Sequence, residues 1–146
     1  MTIFNGTPAT AWHPKPKKKP MPLTNKKSLL LLGLLVFSWL VLIYVESSQP
    51  PPKIFGQIPG IDKVAHFIAY GLLGLMLATL LNLINHYKKI PVLPLVVCLV
   101  VLAGLFDEAH QAFVPGRNSD SWDLLADFCG GSFASLSFFI FTKRSS

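Results

Sequence analysis

The sequence predicts an all-α membrane protein, a small bundle of four transmembrane helices with its N-terminus and C-terminus in the cytoplasm. Composition is the first observation: the 146 residues are 51% hydrophobic and 14% charged, whereas a soluble domain carries about a quarter charged residues. The second is four apolar runs, at residues 28–45, 64–84, 90–106 and 124–141. About 20 apolar residues cross the hydrocarbon layer. Because backbone groups in lipid must be satisfied within the segment, we expect helices.

The N-terminal segment differs from the rest in composition. Residues 1–27 are rich in Pro and Lys, as in HPKPKKKPMP at 13–22, and cannot bury a core. We therefore expect a disordered, basic, cytoplasmic tail, followed by a four-span domain over residues 28–146. Attraction to anionic lipid headgroups explains the basic charge more simply than nucleic-acid binding. Membrane lipids are the expected partners, and nucleic acid is not.

A cleaved signal peptide and a cysteine metal site are both disfavoured. The first run could be a cleaved signal peptide, but the basic segment before it is long and only Val45-Glu46-Ser47 offers a weak cleavage site. Cys98 and Cys129 both lie within apolar runs and show no metal-binding spacing, so they are expected to be small packing residues.

Charged residues divide sharply between the two predicted sides of the membrane. With the N-terminus inside, ten Lys and Arg residues and no carboxylate fall on the cytoplasmic side, as the positive-inside rule requires. The other three basic residues and all seven carboxylates fall at the outer face. Since carboxylates contribute little to topology, their concentration there predicts an outward-facing polar site.

Two polar stripes are predicted on helix faces near that outer side. Asp62, His66 and Tyr70 are spaced i, i+4, i+8 and occupy an arc of about 80° on the second span. Asp120, Asp123 and Asp127 are spaced i, i+3, i+7 and lie within about 60° on the fourth. Ser119 or Asp120 can cap the fourth helix. Capping does not explain Asp127, which follows Leu124-Leu125-Ala126, and an ionisable group at that depth normally faces a partner or a wet cavity.

The end of the third run and the loop after it add further polar groups. Asp107 and Gln111 share one helical face, and a Pro115-Gly116 pair turns the chain toward Arg117. The Arg117 guanidinium suits either an ion pair with a neighbouring Asp or an anionic headgroup. The polar residues that this segment contributes are Asp107, Glu108, His110, Gln111 and Arg117.

Small residues recur at a four-residue spacing on two of the spans. They are Gly74 and Ala78 on the second, and Ala126, Gly130 and Ala134 on the fourth. Such spacing lets membrane helices approach closely. The second and fourth spans are therefore expected to meet and to bring the two polar stripes together.

Together these motifs resemble the VanZ-like membrane protein family. The first is D-K-x-x-H-F-x-x-Y at residues 62–70, and the second is F-D-E-x-x-Q-x-F-x-P-G-R-x-x-D-x-x-D-x-x-x-D at residues 106–127. The resemblance covers roughly residues 60–140 and implies a multi-pass protein of the bacterial inner (cytoplasmic) membrane. Family members commonly carry Asn where this chain has Asp127, which leaves open whether the position serves charge or hydrogen bonding. The founding member is associated with low-level resistance to the glycopeptide teicoplanin, and no molecular activity is implied.

The first functional hypothesis is a pocket that binds or modifies a lipid-linked cell-envelope component. Its candidate catalytic residues are His66, for proton transfer, with Glu108 or Asp107 to orient it. Candidate substrate-binding residues are Asp62, Lys63, Tyr70, Gln111 and Arg117. Asp120, Asp123 and Asp127 are candidate ligands for Mg²⁺ or Ca²⁺, which prefer oxygen donors.

Other functions compete with this one, and whether the protein is an enzyme is left open. The stripes could instead form a non-catalytic hydrogen-bond network that holds the helices together or docks a membrane protein partner. A simple binding or shielding role is a further possibility. Transport is disfavoured because no acidic residue lies on the inner half of the bundle, which leaves no continuous polar path.

Overall fold

Four long helices make up most of the described part of the chain, as the sequence predicts. The computed structural model describes residues 23–85 and 90–144. In this part of the chain the secondary structure comprises one short 3-10 helix, Lys53–Gly56, and no strand. The long helices are α1 (Leu23–Ser47), α2 (Ile61–Ile84), α3 (Val92–Gln111) and α4 (Ser121–Arg144). Each is long and apolar enough to cross a membrane.

The helices extend beyond the apolar runs from which they were predicted. α1 begins at Leu23 rather than at residue 28, so the last five residues of the predicted tail are helical. The predicted disorder of residues 1–22 lies outside the described residues, and so does the turn at 86–89 with Lys88 and Lys89. The cytoplasmic location of the two termini stays a prediction.

Extension of the helices also takes in most of the predicted polar groups. α2 includes Asp62 in its first turn, α3 continues to Gln111, and α4 includes Asp123 in its first turn. Because these groups are on helices, their directions are fixed by helical geometry. Except for Asp120, which precedes α4, the residues of the two polar stripes therefore lie on helices rather than in loops.

α2 and α4 pack against each other more extensively than any other pair of helices. Their backbones approach so closely that a Cβ added to Gly74 would lie 2.7 Å from the carbonyl oxygen of Gly131, and one added to Gly130 would meet the carbonyl oxygen of Phe67. The expected meeting of the second and fourth spans is confirmed. The contact is centred on the pair Gly130-Gly131, while Ala126 and Ala134 are only partly buried.

The buried core lies between α2, α3 and α4, and α1 is peripheral. Within residues 26–47 of α1, whose burial the structure describes, Val36 alone is a buried hydrophobic residue. Trp39 connects α1 to α2 by donating its Nε1–H to the carbonyl oxygen of Ala69 at 2.9 Å. Outward-facing side chains such as Phe37 and Phe133 are about two-thirds exposed, which fits contact with lipid. The core side chains are Val36, Tyr70, Leu73, Ala78, Val92, Val96 and Val100.

A tight turn joins α3 to the segment before α4. Pro115 and Gly116 occupy its centre, with Gly116 at φ 82° and a 3.1 Å hydrogen bond from the Arg117 N–H to the carbonyl oxygen of Val114. Proline fixes φ at the first central position, and glycine readily takes the positive φ at the second. The predicted turn at this pair is confirmed, and it carries Arg117 toward α1.

Candidate functional site

The centre of the polar cluster is a pair formed by His66 of α2 and Asp127 of α4. The His66 Nδ1 and the Asp127 Oδ1 lie 2.9 Å apart, and Asp127 is completely buried. Gly104 of α3 makes room for this carboxylate, since a Cβ there would lie 2.7 Å from the Asp127 Oδ2. The ring of Tyr70 lies parallel to the His66 ring with centroids 6.1 Å apart. The two predicted stripes thus meet at this pair.

Lys63 joins α2 to the start of α4 through three carboxylates. Its Nζ donates to the Asp120 Oδ2 at 2.8 Å, the Asp62 Oδ2 at 3.0 Å and the Asp123 Oδ1 at 3.1 Å. An ammonium has three hydrogens to donate, so these partners satisfy it. The predicted substrate-binding residues Asp62 and Lys63 therefore bind each other, and Lys63 also binds Asp120 and Asp123 at the start of α4.

Asp120 caps α4 and binds Lys63 with the same carboxylate. Its Oδ1 accepts the Trp122 N–H at 2.9 Å, while its Oδ2 accepts from Lys63. These two bonds, that from Lys63 being the stronger influence, hold the pKa of Asp120 below its ordinary value of 3.8. Of the two predicted caps, Asp120 takes the role. Ser119 instead donates to Glu108.

Glu108 is buried at the junction of α3 and the start of α4. Its Oε2 accepts the Asp120 N–H at 2.7 Å and the Ser119 hydroxyl at 3.0 Å. Its other oxygen, Oε1, is buried and has no hydrogen-bond partner in the part of the chain that the structure describes. One residue earlier, Asp107 accepts a 3.0 Å hydrogen bond from Gln111, which confirms that these two share a helical face.

Arg117 binds backbone carbonyls rather than a carboxylate. Its Nη2 donates to the carbonyl oxygen of Glu46 at 2.6 Å and its Nε to that of Gln49 at 2.8 Å. The last carbonyls of a helix lack intrahelical partners and favour positive charge. Arg117 therefore caps the end of α1, and the ion pair with a neighbouring Asp, one of the two predicted partners, is not formed.

Two cavities lie beside the cluster, because α1 contacts α2 and α3 without packing closely against them along its length. The first, about 220 Å³, has polar lining residues that include His66, Tyr70, Asp107 and Arg117. The second, about 430 Å³, shares Tyr70 and Asp107 and lies between α1 and α3. Apolar walls of the first cavity come from Trp39, Leu42, Ile43, Pro52, Ala65 and Ala69.

Of the three aspartates predicted as metal ligands, Asp123 belongs to a group of potential ligands that converge among the described residues. His66, Glu108 and Asp123 each offer a ligand atom, and these atoms all lie within 4.8 Å of one another. Asp120 and Asp123 both accept hydrogen bonds from Lys63, and Asp127 is hydrogen-bonded to His66. The set that converges therefore includes one imidazole and carboxylates from two helices.

Comparison with models of known protein families identifies the family of this chain. The family profile described as VanZ/LLP1 matches residues 10–142, which is most of the sequence. The chain belongs to the VanZ/LLP1 family. No curated protein and no solved structure matches it. Membership and the four membrane-length helices together indicate a multi-pass membrane protein.

The α1 side of this VanZ/LLP1 site was not predicted from the sequence. Trp39, Ile43 and Glu46 line the first cavity, and Ser48 lies 3.0 Å from the Nε2 of His110, whose ring contacts that of Tyr44 at 4.5 Å. The i, i+4, i+7 spacing of the first three residues was a usable signal, since it places them on one helical face.

Proposed function

We propose that this VanZ/LLP1 protein binds the polar head of a membrane amphiphile, such as a lipid-linked cell-envelope precursor, in the cavity between α1, α2 and α3. The observation that carries the proposal is the composition of that cavity. The polar residues His66, Tyr70 and Asp107 line it together with apolar side chains such as Trp39 and Leu42. Ligand sites commonly pair an apolar lining with a few polar groups that fix orientation.

The position of α1 supports access from the membrane. α1 contributes one buried hydrophobic residue, while Leu34, Leu35 and Leu42 are about half exposed. An acyl or prenyl tail can pack along such a surface while the head enters between α1 and α2. Arg117, at the rim, has further guanidinium donors beyond those used on α1, and these suit a phosphate.

His66 is the group proposed to act on the head, with Asp127 as its positioning partner. The hydrogen bond to Asp127 engages Nδ1 and leaves Nε2 available on the other side of the ring. A carboxylate on one imidazole nitrogen fixes the tautomer and orientation of the other. Proton transfer at Nε2 is the chemistry this arrangement supports best.

The proposed site faces the outside of a bacterial inner membrane, as the distribution of carboxylates suggests. Binding of an envelope precursor there would connect the protein to glycopeptide action, and teicoplanin susceptibility of cells that produce it is the corresponding phenotype to measure. Resistance is a proposal drawn from the family alone.

A cavity-filling substitution tests the binding proposal. Ala65→Phe places a bulky side chain in the cavity without removing a polar group, whereas Ala109→Phe adds the same bulk on an exposed position of α3. Native mass spectrometry of protein purified in lipid should find the amphiphile with wild type and Ala109→Phe, but not with Ala65→Phe. Retention of the amphiphile by folded Ala65→Phe would reject the cavity as its site.

A non-catalytic structural or partner-docking role is the second candidate. The observation that favours it is that Lys63 and Arg117, the Lys and Arg side chains of the cluster, bind groups of the protein itself. His66→Ala and Glu108→Gln separate the candidates in cells. Loss of any phenotype at normal membrane abundance supports a binding or catalytic role, while disappearance of both variants from the membrane supports a structural one.

A further inference from the structure

The carboxylates of the cluster outnumber the cations that accompany them. Asp107, Glu108, Asp123 and Asp127 are each at most 8% exposed. The basic groups in contact with them are Lys63, which binds Asp123, and His66, which binds Asp127. Burying a carboxylate without a counter-charge is costly. The cluster therefore favours a further cation or bound protons.

Glu108 points to where the cation would bind. Glu108 is only 6% exposed, and its Oε1 has no hydrogen-bond partner among the described residues. The same carboxylate belongs to the group in which ligand atoms of His66, Glu108 and Asp123 all lie within 4.8 Å of one another. An unsatisfied buried oxygen thus belongs to a carboxylate beside an imidazole and a second carboxylate.

From this geometry we propose a binding site for one divalent transition-metal ion, Mn²⁺ or Zn²⁺, formed by His66, Glu108 and Asp123. Imidazole suits first-row transition metals, and carboxylates suit Mn²⁺ and also serve Zn²⁺. Mg²⁺ and Ca²⁺ prefer oxygen ligands throughout. Because His66 supplies a nitrogen ligand, these two ions fit this site less well than they would fit a site formed by aspartates alone. Three protein ligands leave coordination positions open to a bound head.

The surroundings of the three ligands match those of a protein metal site. Asp127 binds the Nδ1 of His66 and so leaves Nε2 for the ion, as in the carboxylate–histidine–metal arrangement. Ser119 and the Asp120 N–H hold Glu108 through its other oxygen. Lys63 contacts only the Oδ1 of Asp123, which leaves Oδ2 free of it. A His66 whose Nε2 binds the ion cannot also transfer a proton at Nε2, so metal binding would replace the proton transfer proposed above.

Metal titration of purified protein tests this site. Wild-type protein freed of metal and then titrated with Mn²⁺ or Zn²⁺ alone should bind about one ion per chain. Glu108→Gln removes a charge at a ligand, and Asp62→Asn removes an equal charge from a residue outside the three ligands. We expect at least tenfold weaker binding for Glu108→Gln and less than threefold change for Asp62→Asn. Equal affinities for these two variants, or no binding by wild type, would overturn the proposal.

A spectroscopic measurement on wild type keeps the test independent of variant folding. Pulsed electron paramagnetic resonance of the Mn²⁺-loaded protein should detect coupling to an imidazole nitrogen, and its absence would overturn the assignment of His66. Protonated carboxyl groups in the infrared spectrum, unchanged by added metal, would show that protons take the place of the ion. Failure of the amphiphile proposal is distinguishable, because Ala65→Phe abolishes amphiphile retention and leaves ion affinity unchanged.

Discussion

At the scale of residues, polar side chains in an apolar bundle are stabilised by partners on other helices. His66 and Asp127 are 61 residues apart in sequence, and Lys63 and Asp123 are 60 apart, yet each pair is within 3.1 Å. A buried polar group that loses its partner costs roughly 1–3 kcal/mol, so separation of the helices would be penalised. These pairs therefore hold α2 and α4 together as well as forming the site.

Substitutions at Asp127 should separate hydrogen bonding from charge. Asp127→Asn keeps an acceptor for His66, whereas Asp127→Ala leaves the imidazole unpaired and should lower the free energy of unfolding by about 1–3 kcal/mol. Thermal unfolding in detergent, with Asp62→Asn as a control for loss of one charge, measures the difference. If Asp127→Asn is as destabilised as Asp127→Ala, the charge of Asp127 is what matters.

The low pKa of Asp120 predicts a pH dependence. Its bond with Lys63 stabilises the fold wherever Asp120 is ionised in both states, which is above its ordinary pKa of 3.8. As the pH falls through the lower pKa of the folded protein, this contribution is lost. The difference in unfolding temperature between wild type and Asp120→Asn should be constant near neutral pH and should shrink below pH 3.8. A difference that grows in acid would contradict this.

At the scale of elements, the contact of α2 with α4 positions the site. Glycines at Gly74 and Gly130-Gly131 let the two backbones touch, and the polar residues lie toward one end of this contact. In a lipid environment, close packing and interhelical hydrogen bonds replace the hydrophobic effect in holding helices together. A wider separation of α2 and α4 would part His66 from Asp127.

Gly74→Ala should therefore disrupt both packing and site. The added Cβ would lie 2.7 Å from the Gly131 carbonyl oxygen, so the helices must separate, at a cost of about 1–3 kcal/mol. Gly33→Ala is the matched control, because a Cβ at Gly33 meets nothing within 4 Å. Chemical unfolding of both variants in the same detergent provides the comparison. Equal stabilities would show that the α2–α4 contact is looser than described.

At the scale of the whole molecule, the decisive property is which side of the membrane the polar cluster faces. Four spans place both termini on one side, and the basic residues favour the cytoplasm for that side. We therefore expect the loop between α3 and α4 to lie outside with the cluster.

Cysteine labelling tests this orientation. In a variant with Cys98 and Cys129 replaced, Ser119→Cys should react with a membrane-impermeant maleimide added to intact cells, since Ser119 is exposed. Ser146→Cys should react only after the membrane is opened. The reverse pattern would place the cluster in the cytoplasm and would remove the basis for an envelope precursor as ligand.

The extent of sequence-based prediction differs between fold and site. The four spans and the polar stripes follow from hydropathy and helical spacing, which are local properties. Roles within the cluster did not follow, because Arg117 and Lys63 each had several possible partners and their choice depends on which helix ends come together. Arg117 selected the carbonyls of α1, a segment whose contribution to the cavity was missed.

By itself, the sequence determined that this chain has four segments long and apolar enough to cross a membrane and that most of its polar groups lie on particular helix faces, since hydrophobic length and helical periodicity act within a segment. Tertiary structure alone decided that Asp127 pairs with His66, that the Glu108 Oε1 has no hydrogen-bond partner among the residues described, and that α1 forms one wall of a cavity. The physical reason is that hydrogen bonds and ion pairs between helices depend on distances that are set by backbone packing, here at Gly74 and Gly131.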